Sequence, residues 1–123
     1  MEPLIISNNP LVKSKYPGAL FVCGGFGEVL CKVRDLIHLG HKLISHPLGS
    51  SIRMIYSPYR SVVVSSVADS FCEEHCKIIE SSIEGYRAAM GGRRSDYPNH
   101  KDYQFMDLEL LESSLKEATL NYL

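Results

Sequence analysis

The sequence predicts an α/β domain: a three-layer, mainly parallel four-stranded sheet with helices on both faces. Two observations carry this. Short apolar or β-branched runs alternate along the chain with segments of helical periodicity, the pattern of βαβ units. The composition, 45% apolar over 123 residues, is enough for one ordinary core, so a single domain spanning 1–123 is expected.

Residues 4–6, Leu-Ile-Ile, read as a buried strand that ends in Ser7-Asn8-Asn9-Pro10. Asn9 before Pro10 is a helix start, in which Asn caps free N–H groups and Pro occupies the first helical position. Pro17-Gly18 closes that short helix. Residues 19–23 form the second strand, stopped by Gly24-Gly25. Phe26, Val29, Leu30, Val33, Leu36 and Ile37 then recur at helical spacing on one face. Gly40 stands where a left-handed helix end is expected. Residues 42–45 are the third strand, around Leu43 and Ile44, and residues 61–65, Ser-Val-Val-Val-Ser, are the fourth.

The expected strand order is 2-1-3-4. No strong helix separates the third strand from the fourth, so the fourth could pair antiparallel. Ser70-Phe71-Cys72-Glu73 matches a capping box for a helix carrying Ile78, Ile79, Ile83 and Met90. Gly91-Gly92 ends it. Residues 93–103 read as an exposed loop, and Asp107 opens a last helix with Leu108, Leu111, Leu115 and Ala118 on one face.

Charge excludes some functions. The net charge is -1, whereas a nucleic-acid binder usually shows a strong basic excess. Arg93, Arg94 and Lys101 are too few to reverse that. No apolar run reaches the ~18 residues of a membrane span. Met1-Glu2-Pro3 leads straight into an apolar run with no secretory signal. A cytoplasmic location is therefore expected, with Cys23, Cys31, Cys72 and Cys76 as free thiols.

In open α/β sheets ligands bind beyond the carboxyl ends of strands. That rule collects Asn8 and Asn9 after the first strand, and His46, Gly49, Ser50 and Ser51 after the third. Small residues let backbone N–H groups converge on an anion. His46 adds an imidazole that can serve as acid, base or ligand. Arg53 supplies a permanent charge if the loop folds back. Together these predict a site for a small anionic ligand. The same Asn, Gly and Ser residues also serve as ordinary turn and cap residues. His38 and His41 flank Gly40, where a helix C-terminus favours a cation, and a structural role is expected for both. Cys72, His75 and Cys76 share one helix face but number one fewer than the four ligands of a closed zinc site; they are read as core. No metal, no cofactor and no catalytic residue is assigned.

Five motifs taken together (Ser7-Asn8-Asn9-Pro10-Leu11-Val12, Arg34-Asp35, His38-Leu39-Gly40-His41-Lys42-Leu43, His46-Pro47-Leu48 and Ser57-Pro58-Tyr59-Arg60-Ser61-Val62) give the chain a likeness. It resembles the GrdX-like proteins, which are encoded beside the glycine, sarcosine and betaine reductase complexes. The resemblance implies an accessory or regulatory protein near glycine reductase metabolism, with components of that complex or a small anionic metabolite as partners. A homodimer is left open. The rival expectation is a small enzyme acting on a phosphorylated or carboxylated metabolite, with His46 as its acid/base.

Overall fold

The computed structural model describes residues 3–49 and 52–122. Three strands form the sheet: β1 (Leu4–Ser7), β2 (Leu20–Phe21) and β3 (Ser61–Val64), in the order β2-β1-β3. Among the described residues four α-helices surround it: α1 (Pro10–Lys15), α2 (Phe26–His38), α3 (Glu73–Met90) and α4 (His100–Tyr122). β1 pairs with β2 in parallel and with β3 antiparallel.

The expected four-stranded, mainly parallel, three-layer sheet is thus corrected to a small, mixed, three-stranded one with four helices. The expected order 2-1-3-4 changes with it. Residues 61–64 take the place beside β1, and residues 42–45 fall outside them. β3 runs antiparallel to β1 and also to the segment around Leu43; among the described residues the 46–60 connection from that segment into β3 carries a short 3-10 turn, Ile52–Tyr56, and no long crossover helix.

Residues 42–45 fail as a strand because side chains take the places of ladder partners. Only Leu43 bridges Val64. The Leu43 amide donates to His75 Nδ1 at 3.0 Å. The Lys42 amide donates to the Ser65 hydroxyl, and the Val63 amide to the Ser45 hydroxyl. The amides of Ile44 and Ser45 then share one acceptor, the Val63 carbonyl. Local side-chain hydrogen bonds of Ser and His have displaced a regular ladder.

Strand alternation sends Ile6, Val62 and Val64 to one side, where they pack with the α2 stripe and with Ile79 and Ile83 of α3. Ile5 and Val63 face the other way, onto Val12 of α1 and Leu111 of α4. All six predicted stripe residues of α2 are buried. The α2 C-terminus closes as a Schellman motif: His41 N–H reaches the Leu36 carbonyl and Gly40 N–H reaches that of Ile37. Gly40 has φ +112°, and a side chain there would press on the backbone of Ala68, Asp69 and Ser70. Asn9 caps α1 as expected, its side chain accepting from the Leu11 amide.

Two predicted boundaries move. α3 starts at Glu73 behind Cys72, with no side-chain cap. Ser70 does not open it, because its amide is taken by Asp69 and its carbonyl by the Lys42 ammonium. Phe71 lies 58% exposed, outside the α3 stripe. α4 begins at His100, well before Asp107, and takes in part of the segment read as a loop. Among the described residues no helix is long and apolar enough to cross a membrane. All four cysteines are free.

Two expectations follow. Ile37→Ala removes a fully buried side chain from the α2 stripe and should cost about 2–5 kcal/mol, read as a lower denaturant midpoint. Glu112 of α4 accepts from Lys15 at 2.5 Å and from Tyr16 at 2.8 Å, joining α4 to the end of α1. Lys15, then Tyr16, holds the Glu112 carboxyl below its ordinary range. A lowered folded value means that this contribution is present above the unfolded carboxylate range and is lost as pH falls through the folded value. The group is solvent-exposed, so salt should weaken the effect. Glu112→Gln should flatten the acid limb of the midpoint-versus-pH curve, most visibly at low ionic strength; identical acid limbs would contradict the contact.

Candidate functional site

The end of β1 is polar and buried. Ser7 and Ser61 face each other across the β1–β3 pair with their hydroxyls 2.7 Å apart. Asn8 follows, 5% exposed. Its amide nitrogen donates to the carbonyls of Gly24 and Pro58, both at 2.8 Å, and its oxygen accepts from the Arg60 amide at 2.8 Å. The side chain thus ties the turns after β2 and before β3 to the end of β1. Asn9 donates to the Gln104 carbonyl at 2.9 Å and to Asp107 at 3.0 Å while its oxygen caps α1. Both donor hydrogens of each asparagine are spent inside the fold.

Asp107 has no exposed surface. One carboxylate oxygen accepts from the Ser61 amide at 2.9 Å. The other accepts from the Ser61 hydroxyl at 2.6 Å and from Asn9. A desolvated carboxylate is tolerated only when its lone pairs are met in this way. Every fully buried side-chain nitrogen and oxygen among the described residues has a partner.

Arg60 precedes Ser61 and is only 4% exposed. Its Nε donates to the Pro47 carbonyl at 2.8 Å, and Nη2 to the His46 carbonyl at 2.9 Å. Burial pulls its pKa down, and Asp107 opposes that shift. It remains a cation at neutral pH. Among the described residues Arg60 has no carboxylate within ion-pair distance. Gly49 lies directly against the guanidinium at φ +71°, where an added Cβ would come within 2.9 Å of Nη2. Glycine is therefore required by both conformation and space.

Arg60 lines a cleft of about 570 Å³ between α4 and the 43–49 segment. His46, Gly49 and Ser45 line one side; Ser113, Ser114 and Glu117 line the other. The cleft combines one buried cation, several hydroxyls, one imidazole and one carboxylate. It can take a small polar ligand, but His46 and Glu117 alone are too few ligands for a metal.

The structure therefore brings His46 and Gly49 together at this cleft and places Asn8 and Asn9 behind it, as internal ties. His46 is exposed, with its Nδ1 accepting from the Leu48 amide at 3.1 Å, so Nε2 is the nitrogen turned to other partners. Ser50 and Ser51 lie outside the described residues, as does the side chain of Arg53. Arg60 was not singled out as a site residue from the sequence. The only signal is its place in Ser57-Pro58-Tyr59-Arg60, at the entry to an apolar strand. Cys72, His75 and Cys76 do not act as one group: His75 is committed to the Leu43 amide, while Cys76 meets His38 at 3.2 Å.

Compared with known families, residues 4–116 match the family described as GrdX-like protein. No curated protein and no solved structure matches the chain.

Asp107→Ala would leave two or three buried donors without an acceptor. At roughly 1–3 kcal/mol each, the loss should be about 3–5 kcal/mol by chemical denaturation. Asp107→Asn keeps one acceptor oxygen and should lose less. Equal, small losses for both would show that the carboxylate does not hold α4.

Proposed function

The chain belongs to the GrdX-like family, and from that premise and the Arg60 cleft we propose an accessory or regulatory protein of glycine reductase metabolism that binds a small carboxylate or phosphate ligand. The observation that carries the reading is Arg60. A nearly buried guanidinium, oriented by two backbone carbonyls and without a carboxylate partner among the described residues, sits against a cleft of ligand size. Taking a guanidinium out of water is costly unless an anion faces it, and its planar fork suits carboxylate and phosphate oxygens.

Glu117 lines the same cleft. A ligand that carries both signs, as glycine does, meets a partner for each. A bare phosphate meets Arg60 and is repelled by Glu117. In this reading His46 and the backbone of Gly49 border the ligand, with Ser50 and Ser51 next in the chain. Asn8 positions the Arg60 backbone and does not touch the ligand. The geometry gives the enzyme reading no support: among the described residues the His46 ring is bonded to the Leu48 amide and to none of the hydroxyls or carboxylate of the cleft.

Calorimetric titration with glycine, phosphate and acetyl phosphate tests the proposal. Glycine should bind, and Ser113→Asp, which adds a negative charge to the α4 wall of the cleft, should weaken phosphate and acetyl phosphate more than glycine. Glu117→Gln should weaken glycine while strengthening phosphate. Arg60→Lys keeps the charge but loses the fork, and should reduce affinity about tenfold or more. If the folded wild type binds none of the three, the metabolite reading fails and docking to a reductase component is left as the family's role.

A further inference from the structure

We propose that His38, Cys76 and Glu80 form a surface site for a divalent transition metal of the zinc class, between the end of α2 and the middle of α3. Cys76 and Glu80 are one turn apart on α3 and share a face. His38 is the last residue of α2 and reaches across to both. Its Nε2 lies 3.2 Å from the Cys76 sulfur and 3.5 Å from a Glu80 carboxylate oxygen. The three ligand atoms all lie within 4.8 Å of one another.

Two features separate this group from an ordinary surface contact. First, two of the three spacings are those of a coordination sphere. Metal–ligand bonds of about 2.0–2.3 Å at tetrahedral angles put neighbouring donor atoms roughly 3.4–3.6 Å apart. The two distances from His38 are already within a few tenths of an ångström of that. Second, sulfur and carboxylate converge on the same ring nitrogen. A nucleophile–base–orienter triad would use both nitrogens, one for the thiol and the other for the carboxylate. Convergence on one point is what a shared ion requires.

The donor set selects the ion. A thiolate with an imidazole and one carboxylate suits Zn²⁺, Co²⁺ or Ni²⁺, whereas Mg²⁺ and Ca²⁺ take oxygen ligands. On binding, the Cys76 thiol gives its proton to solvent and the sulfur donates its electron pair to the metal. The side chains of His38 and Glu80 are 50% and 47% exposed, so a fourth position faces solvent. Open three-ligand sites of this kind hold a water or an incoming ligand. The Phe71 ring stands edge-on to His38, with centroids 6.2 Å apart, and forms one wall. His75, although a turn neighbour, is excluded because its Nδ1 is bound to the Leu43 amide.

The test uses the full chain, reduced and treated with chelator, titrated with Co²⁺ and followed by absorption. Expected are a thiolate-to-cobalt charge-transfer band in the near ultraviolet and visible bands of tetrahedral intensity, saturating at about one equivalent and displaced by Zn²⁺. Cys76→Ser should abolish the charge-transfer band. His38→Ala and Glu80→Gln should each weaken Co²⁺ binding about tenfold or more. Zn²⁺ should raise the thermal midpoint of wild type but not of Cys76→Ser. The metal-free midpoints of the variants should match wild type, which separates a lost site from a lost fold. Absence of the band, its survival in Cys76→Ser, or unchanged affinity in both His38→Ala and Glu80→Gln would overturn the proposal.

Discussion

The carboxylate of Asp107 is the constraint on which the rest of the arrangement depends. It sits on α4 and takes three hydrogen bonds, two from Ser61 of β3 and one from Asn9, the cap of α1. One side chain thus fixes the longest helix against both the sheet edge and the helix that follows β1. Apolar packing of Val63 and Leu111 holds the same face together, but such contacts are non-directional and tolerate sliding. A satisfied buried carboxylate tolerates far less, because any shift leaves lone pairs or donors unmet. The position of α4 in turn sets the far wall of the Arg60 cleft. Fold and candidate site therefore share one determinant.

What was legible in the sequence was local. Asn9-Pro10 as a cap, Gly40 as a left-handed stop and the apolar stripe of α2 each rest on contacts within a few residues, and each stands in the structure. What was illegible depends on partners far along the chain. Asp107 reads as an acidic helix opener when taken alone; only the fold shows that its partners are Ser61 and Asn9. Arg60 carries no signal of burial in its local sequence, yet it is enclosed by residues 46, 47 and 49. The strand expected at 42–45 has the right apolar centre. It was lost to His75, Ser45 and Ser65, side chains that no periodicity argument weighs against a backbone ladder.

The site moved in the same way. Strand-end reasoning collected Asn8 and Asn9, whose side chains serve the fold itself. The charge facing the cleft comes from Arg60, at the entry to β3, the strand whose direction the sequence left open. On α3, Cys72, His75 and Cys76 share one face and were read as core. The packed pair α2 and α3 instead brings His38 to Cys76 and Glu80.

Native-state hydrogen exchange at the Ser61 amide tests the account most directly. That N–H donates to Asp107 and to nothing in the sheet ladder that would protect it independently of α4. If the buried carboxylate locks α4 to β3, the Ser61 amide should exchange as slowly as core amides of α2 such as that of Val33, through whole-molecule unfolding. Rapid exchange at Ser61 while Val33 stays protected would show that α4 opens on its own, and that Asp107 is not the lock.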